Sequence, residues 1–275
     1  MPPRSLRLTW GSGIPPPPPD RLTTPEHERV TMPEALMTVD ALRAGYGDMI
    51  AVWDMSLQAK PGRVTALVGR NGAGKSTFLN AVAGLLPIRA GTIKLSGEDV
   101  TRLPAHQRAS HGLALVPEGK RIFRAMTVRE NLTIGQFNAR HKGSEGQAII
   151  AEMFDRFPAL GDRPDALAGS LSGGQQQMLS IAQALSSRPS VLCLDEPSSG
   201  LAPVIVDEVF EIVRDLRAEG YAIVLVEQQV EAVLDGLADD VVIIDQGRQV
   251  LADEASNVTV DQIIQATLHG VDRRP

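Results

Sequence analysis

The stretch from Val64 to Thr77, VTALVGRNGAGKST, constrains the fold more than any other part of the sequence. Its first residues carry no charge and are mostly apolar, which is typical of a strand covered on both faces of a parallel sheet. The glycine-rich segment that follows has the spacing G-x-x-x-x-G-K-[ST], in which glycines let successive backbone N–H groups turn toward one anion. Apolar residues at helical spacing come next and stop at Gly84. We therefore predict a strand, a phosphate-binding loop and a helix.

The side chains of this loop predict how a nucleotide is held. Lys75 supplies a positive charge for β- and γ-phosphates, and Ser76 supplies a hydroxyl ligand for Mg²⁺. The helix that begins there directs the positive end of its dipole to the same place. A chance glycine-rich turn is the alternative, but the strand before and the helix after favour a nucleotide. The predicted nucleotide-binding residues of the loop are Gly69, Arg70, Asn71, Gly72, Ala73, Gly74, Lys75, Ser76 and Thr77.

Composition restricts the class of protein. The chain has 275 residues and a net charge of −6, which fits one compact domain or one domain with sub-lobes. The net negative charge argues against a general nucleic-acid binder, because affinity for phosphate backbones requires clustered Lys and Arg. A local basic patch at Lys120, Arg121 and Arg124 stays open as an alternative. The one cysteine, Cys193, lies in an apolar run, so we expect a buried structural thiol rather than a nucleophile.

Hydropathy and the N-terminal segment indicate where the protein acts. No window approaches the ~20 apolar residues of a bilayer span, and the N-terminus lacks the apolar core of a secretory signal. We therefore expect a cytoplasmic protein, and any role at a membrane has to come through a partner. Residues 1–33 contain five consecutive prolines and little apolar content, so we predict a disordered extension. A proline-rich docking motif or a translation start placed too far upstream are the alternatives.

From residue 34 to residue 275 the pattern indicates one α/β domain. Two runs of alternating apolar and polar residues, separated by glycines, predict antiparallel strands. In the C-terminal half, strands alternate with helices, which predicts a mostly parallel sheet. Residues 102–171 are predicted to be a helical subdomain that interrupts the sheet, with a short strand near residues 113–116 and a helix over 145–160. Tyr46 precedes the phosphate strand and either stacks on an adenine face or is an ordinary half-buried aromatic.

A second anion site is predicted at LSGGQ, Leu171 to Gln175. Ser172 is a natural N-cap for a helix from Gln176 to Leu185, and the paired glycines leave N–H groups open. A single phosphate-binding loop does not need this second site.

Polar residues follow two buried strands in the C-terminal half. After Val191–Leu194, Asp195 is predicted to hold Mg²⁺ beside Ser76, and Glu196 to orient and polarise an attacking water. Solvation of a strand end is the alternative for paired acids. Gln228 follows a strand that ends at Glu227, where a polar side chain can face the γ-phosphate.

Taken together, the phosphate loop, LSGGQ at Leu171 to Gln175 and VLCLDEP at Val191 to Pro197 resemble the ATP-binding cassette (ABC) ATPases over nearly all of residues 36–254. The resemblance implies a P-loop fold with a mostly parallel core sheet, an antiparallel β subdomain and an inserted helical subdomain. It also implies ATP and Mg²⁺, bound in a head-to-tail dimer between the phosphate loop of one subunit and the LSGGQ helix of the other.

The resemblance also implies roles for single residues. Tyr46 matches the adenine-stacking aromatic, Asp195 the Mg²⁺ acid and Glu196 the general base. Two positions depart from most cassettes, because Glu118 stands in place of a glutamine and Gln228 in place of a histidine. A carboxylate at 118 can still ligate Mg²⁺, and an amide at 228 donates a hydrogen bond without carrying charge. The resemblance implies that Ser172 and Gly174 contact the γ-phosphate in trans, and that the loop 199–202 touches the opposite subunit. The predicted nucleotide-binding residues of this turn are Ser172, Gly173, Gly174 and Gln175.

The motifs that contain these two departures resemble one group within the ABC ATPases. VPEGKRIF, DEPSSGLAP and LVEQQ are similar to ATP-binding subunits of branched-chain amino acid importers, in the member of the ATPase pair that has glutamate and glutamine at these places. The resemblance implies a homologous but different second ATPase, two inner-membrane permease subunits, an indirectly linked periplasmic binding protein and no nucleic acid. It places the chain on the cytoplasmic face of the membrane, with the permease's coupling helix near residues 118–123. A cassette for urea, amides or a lipid and a soluble cassette acting on ribosomes or DNA stay open.

Overall fold

A mixed sheet connects the two halves of the described chain. The structure, a computed structural model, describes residues 35–137 and 143–268, without the side chains of 267 and 268. Its strands are β1 Met37–Tyr46, β2 Met49–Ala59, β3 Val64–Val68, β4 Ile88–Leu95, β5 Glu98–Asp99, β6 Leu113–Val116, β7 Val191–Asp195, β8 Ala222–Glu227, β9 Asp240–Asp245 and β10 Arg248–Glu254. Their order across the sheet is β5-β4-β1-β2-β10-β9-β3-β8-β7-β6. The predicted disordered extension, residues 1–33, lies outside the described residues.

Helices cover the sheet and connect its strands. They are α1 Lys75–Val82, α2 Ala105–Ser110, α3 Val128–Gly135, α4 Ser144–Arg156, α5 Pro158–Gly161, α6 Gly173–Leu185, α7 Pro203–Ala218, α8 Val230–Ala232 and α9 Val260–Leu268. The described part of the chain contains no helix with both the length and the apolar composition of a membrane span.

Five neighbouring strands, β9, β3, β8, β7 and β6, run parallel to one another. All residues of β3, β7 and β8 are buried, as expected for strands covered on both faces. Parallel strands end at one edge, so the segments that follow β3, β7 and β8 lie side by side. The phosphate loop, the acids after Leu194 and the glutamine after Glu227 therefore meet at this edge, as the sequence predicts.

An antiparallel group forms the other half of the sheet. β1 pairs with both β2 and β4, and β4 pairs with β5. β10 connects this group to the parallel core, because it pairs antiparallel with β9 and in parallel with β2 at Arg248 and Trp53. There Trp53 N–H donates to the carbonyl of Gly247 at 2.7 Å. The predicted α/β class, with a mostly parallel core and an antiparallel β part, is confirmed.

The segment 102–171 is less uniformly helical than the sequence suggests. β6 pairs in parallel with β7 and forms the edge of the sheet, so the expectation that the whole segment interrupts the sheet is wrong at its start. The predicted helix 145–160 is divided into α4 and α5 at Phe157, whose backbone leaves the helical region at φ −119° and ψ 74°. Pro158 explains the break, because proline disfavours helical geometry in the preceding residue. The limits of the subdomain stay a prediction.

Apolar side chains form one cluster on each face of the parallel strands. Cys193 lies in the cluster that also contains Phe78 of α1 and is 1% exposed. Burial, together with the nearby carboxylate of Asp195, raises the pKa of its thiol to about 12. Cys193 is therefore a buried thiol that stays protonated, as the apolar run around it predicts.

Candidate active site

The loop between β3 and α1 is held by close backbone contacts. Gly74, the N-cap of α1, has a φ of 107°, and a Cβ there would lie 2.9 Å from the carbonyl oxygen of Ala51 in β2. A Cβ on Gly69 would lie 2.2 Å from the carbonyl oxygen of Ile244 in β9. The two glycines therefore do more than open space for an anion. They let the loop pack against strands on both sides, which fixes its position relative to the sheet.

Lys75 folds back over this loop. Its side chain is 4% exposed, and its ammonium donates hydrogen bonds to the carbonyl oxygens of Gly69 at 2.8 Å and Arg70 at 3.1 Å. The same nitrogen lies 3.7 Å from Oε1 of Glu196. The ammonium is thus held at the centre of the loop, where it can exchange carbonyl acceptors for phosphate oxygens.

Ser76 and Asp195 connect the start of α1 to the end of β7. Ser76 Oγ donates to Asp195 Oδ1 at 3.1 Å, and Asp195 is 4% exposed. Burial raises the pKa of Asp195 most, and the negative charges of Glu196 and Glu118 raise it further. The hydrogen bond from Ser76 and the charge of Lys75 lower it. A carboxylate in such surroundings gains stability when a cation comes to the site.

Glu196 and Gln228 form a direct pair across the ends of β7 and β8. Gln228 Nε2 donates to Glu196 Oε2 at 2.5 Å, and the side chain of Glu196 is 10% exposed. The backbone of Glu196 has a φ of 48°, a left-handed conformation that costs about 1–3 kcal/mol in a residue other than glycine. Its N–H donates to the carbonyl of Val226 at 3.0 Å. The fold thus holds this carboxylate in a strained but fixed place.

These groups surround a cavity of about 480 Å³. Of the predicted residues, the structure brings Glu118, Glu196 and Gln228 to its wall together with the second half of the phosphate loop. The lining residues are Ala51, Asn71, Gly72, Gly74, Lys75, Ser76, Thr77, Glu118, Glu196, Ser199 and Gln228. Asp195 reaches the cavity through its hydrogen bond with Ser76.

Other predicted residues lie outside this wall. Gly69 and Arg70 line a neighbouring cavity of about 380 Å³ beside α8 and α9, and Ala73 is buried under the loop. Tyr46 is 50% exposed at the end of β1 and does not line the cavity. Its adenine-stacking role stays a prediction.

The LSGGQ segment forms a separate helix N-terminus. Ser172 Oγ accepts from the N–H of Gln175 at 3.2 Å, and Gln175 Oε1 accepts from the N–H of Ser172 at 3.1 Å. This capping box starts α6 at Gly173 rather than at the predicted Gln176, so both glycines lie in the first turn. First-turn N–H groups have no acceptor inside a helix. None of these residues lines the cavity at the phosphate loop.

Sequence reasoning missed one residue next to the site. Glu227, the last residue of β8, is 1% exposed and accepts hydrogen bonds from Ser198 and Gln228. A carboxylate inside an otherwise apolar buried strand is unusual, because ionised groups are expensive to bury. That pattern in AIVLVE could have identified it from the sequence.

Comparison with known proteins agrees with this geometry. A family model described as ABC transporter matches residues 52–199. The high-affinity branched-chain amino acid transport ATP-binding protein BraG of Pseudomonas aeruginosa is 39% identical over 236 residues, covering 86% of this chain and 100% of that protein. The probable branched-chain amino acid transport ATP-binding protein LivF of Archaeoglobus fulgidus is 35% identical, covering 82% and 92%.

Solved structures show the same fold. An ATP-binding cassette of an ABC transporter in its ADP conformation is 25% identical, with a TM-score of 0.71, covering 84% of this chain and 94% of that chain. CbiO1 from Clostridium perfringens, part of an ABC transporter complex, is also 25% identical, with a TM-score of 0.71, covering 86% and 97%. This chain belongs to the ABC transporter family and is an ATP-binding, ATP-hydrolysing subunit of that family.

Proposed function

We propose that this chain is the ATP-binding subunit of an importer for branched-chain amino acids. The observation that carries the proposal is the 39% identity with BraG over the whole length of that protein. LivF, which is named for the same transport, supports it independently. The cargo is leucine, isoleucine or valine, and ATP hydrolysis at the cavity beside the phosphate loop drives its uptake.

The residues around Ser76 fit a Mg²⁺ ion that accompanies ATP. Magnesium in nucleotide sites takes only one or two carboxylates and completes its octahedron with water and phosphate oxygens. Ser76, Asp195 and Glu118 would hold it, and a cation relieves the burial and like-charge repulsion that raise the pKa of Asp195. Bound there, Mg²⁺ neutralises charge on the β- and γ-phosphates.

Glu196 is proposed as the general base for hydrolysis. Its carboxylate accepts a proton from water as the water oxygen forms a bond to the γ-phosphorus and the bond to the β–γ bridging oxygen breaks. The products are ADP and inorganic phosphate. Gln228 holds Glu196 through the 2.5 Å hydrogen bond and faces the γ-phosphate, while Lys75 stabilises the phosphate oxygens. Tyr46 is proposed to stack on the adenine.

A second subunit completes the site in this proposal. The Ser172–Gln175 turn lies outside the wall of the phosphate-loop cavity, so its open N–H groups are suited to a nucleotide bound by another chain. That chain is a homologous but different ATPase, and the two act beneath two permease subunits. Residues 118–123 are proposed to contact the coupling helix of a permease subunit, and Phe123 among them is 48% exposed. The pair acts at the cytoplasmic face of the inner membrane, and a periplasmic binding protein delivers the cargo.

Uptake of labelled leucine tests the proposal. Cells that lack this chain are complemented with the wild type, with Glu196→Gln or with Glu211→Gln, whose side chain is 67% exposed on α7. The wild type and Glu211→Gln restore uptake, and Glu196→Gln does not. Restoration by Glu196→Gln, or unchanged leucine uptake in cells without the chain, contradicts the proposal. Loss of urea, amide or lipid transport in those cells instead would assign another cargo.

A further inference from the structure

Glu227 is a buried carboxylate to which the mechanism above gives no role. It ends β8, the strand that lies between the phosphate strand β3 and β7, and it is 1% exposed. Burial raises its pKa most, and the hydrogen bonds from Ser198 and Gln228 lower it. The one charged neighbour that affects it within the described part of the chain is Glu196, which is also negative. A carboxylate buried beside a second negative charge is costly, and its hydrogen bonds have to offset that cost.

The hydrogen bonds of Glu227 connect two segments of the chain. Ser198 N–H donates to Oε1 at 3.1 Å, and Ser198 Oγ donates to Oε2 at 2.9 Å. Gln228 N–H donates to Oε2 at 3.2 Å. One side chain thus joins the segment after β7 to the segment after β8 through three donors.

The joined segments carry Glu196 and Gln228, two of the residues that line the cavity. Glu196 lies two residues before Ser198, and Gln228 follows Glu227 directly. Glu196 also depends on β8, since its N–H donates to the carbonyl of Val226 at 3.0 Å. Any shift of Ser198 relative to Gln228 therefore changes the 2.5 Å contact between Gln228 Nε2 and Glu196 Oε2.

We propose that Glu227 is a positioning residue for ATP hydrolysis. It fixes Ser198 relative to Gln228 and thereby holds Glu196 where it accepts the proton of the attacking water. The inference rests on the proposed role of Glu196 as the base. Residues 199–202, which the resemblance implies touch the second subunit, follow Ser198 directly, so the same carboxylate connects that loop to the base.

Glu227→Gln tests this role with little change in shape. The amide replaces one acceptor oxygen by an NH₂ donor. With NH₂ in place of Oε1, Ser198 N–H loses its acceptor, and with NH₂ in place of Oε2, Gln228 N–H loses its acceptor. A displacement of reacting groups by about 1 Å costs up to ~100-fold in rate, so we expect kcat to fall about 10- to 100-fold. ATP affinity changes by less than about twofold, because the phosphate loop is untouched. Glu211→Gln, the same change on an exposed helix face, leaves both quantities unchanged.

Combination with Glu196→Gln separates positioning from general damage. In that background Glu227→Gln causes no further fall in the residual rate, since its effect passes through Glu196. Ser198→Ala removes one donor and keeps the carboxylate, and it gives a smaller fall in kcat at unchanged ATP affinity. It serves as the readout if Glu227→Gln does not fold.

Three results have different meanings in this experiment. Wild-type kcat in both Glu227→Gln and Ser198→Ala overturns the positioning role. An equal fold-loss from Glu227→Gln in the wild-type and Glu196→Gln backgrounds also overturns it, because the effect then bypasses the base. Wild-type hydrolysis by Glu196→Gln overturns the proposed base itself, which distinguishes failure of the mechanism from failure of this inference.

Discussion

Substitution of Gly174 by alanine probes the packing that sets the LSGGQ turn. A Cβ at Gly174 would lie 2.7 Å from Ile205 Cγ2, and the next two nearest atoms, at 3.3 Å, also belong to Ile205. Because apolar carbons pack best at about 3.5–4.0 Å, the methyl group displaces the Ile205 side chain or the first turn of α6. Overpacking of this kind costs about 1–3 kcal/mol, against a gain of up to ~1 kcal/mol for alanine over glycine in a helix. We expect a net destabilisation of about 1 kcal/mol.

A double-mutant cycle with Ile205→Ala isolates the contact. Ile205→Ala removes all three atoms that the new methyl meets, so Gly174→Ala becomes harmless or stabilising in that background. The coupling free energy is about 1–3 kcal/mol in favour of the double variant. Urea unfolding measures stability, and steady-state ATP hydrolysis reports any displacement of Ser172. We expect the hydrolysis rate to recover together with stability in the double variant.

Gly173→Ala is the matched control. The nearest atom to its new methyl is Lys120 Nζ at 3.3 Å, the end of a flexible side chain that can move aside. We expect no destabilisation at that position. Additive effects of Gly174→Ala and Ile205→Ala, or equal destabilisation by the two alanine variants, would refute the packing argument.

Three further predictions concern charge and burial. Lys75→Ala weakens ATP binding by about 1.5–3 kcal/mol, roughly 10- to 100-fold, in isothermal titration calorimetry, because it removes charged hydrogen bonds to phosphate; normal binding would exclude the assigned role. Burial raises the pKa of Asp195 above its ordinary 3.8 in the nucleotide-free chain, so its contribution to stability is present below that value and is lost as pH rises through the folded pKa. Urea unfolding at successive pH values above 3.8 should therefore find Asp195→Asn increasingly more stable than the wild type; a constant difference contradicts this. The Cys193 thiol, with a pKa of about 12, does not react with iodoacetamide at neutral pH until the chain is unfolded, as mass spectrometry can establish.

Local patterns predict the centre of the site well. The strand, loop and helix from Val64 onward depend on residues adjacent in the chain. A capping-box pattern, S-x-x-Q, stands at Ser172 and Gln175, and its use would have moved the predicted start of α6 to Gly173. Pro158 likewise marked the break between α4 and α5.

Contacts between distant segments are harder to predict. Ser198 and Glu227 are 29 residues apart. The sequence predicts that both strands end at the same edge of the sheet, but no pattern states that β7 and β8 pair directly, which is what brings these two side chains together. The role of Gly69 is similar, because its contact with Ile244 depends on β9 lying beside β3. β6 is recognisable as a strand, but its place at the sheet edge follows from pairing with β7, which a sequence pattern does not specify.

The most direct test of the account is ATP hydrolysis by Glu196→Gln. Steady-state hydrolysis and equilibrium ATP binding are measured on the chain purified together with its accompanying subunits, with Glu211→Gln as the exposed control. Loss of a general base lowers the rate by about 10²–10⁴-fold, while the phosphate loop with Lys75 and Ser76 still binds ATP. We expect ATP binding close to that of the wild type, together with turnover lowered by this factor. Turnover near the wild-type rate would contradict the account, because the cavity beside the phosphate loop would then lack its proposed base.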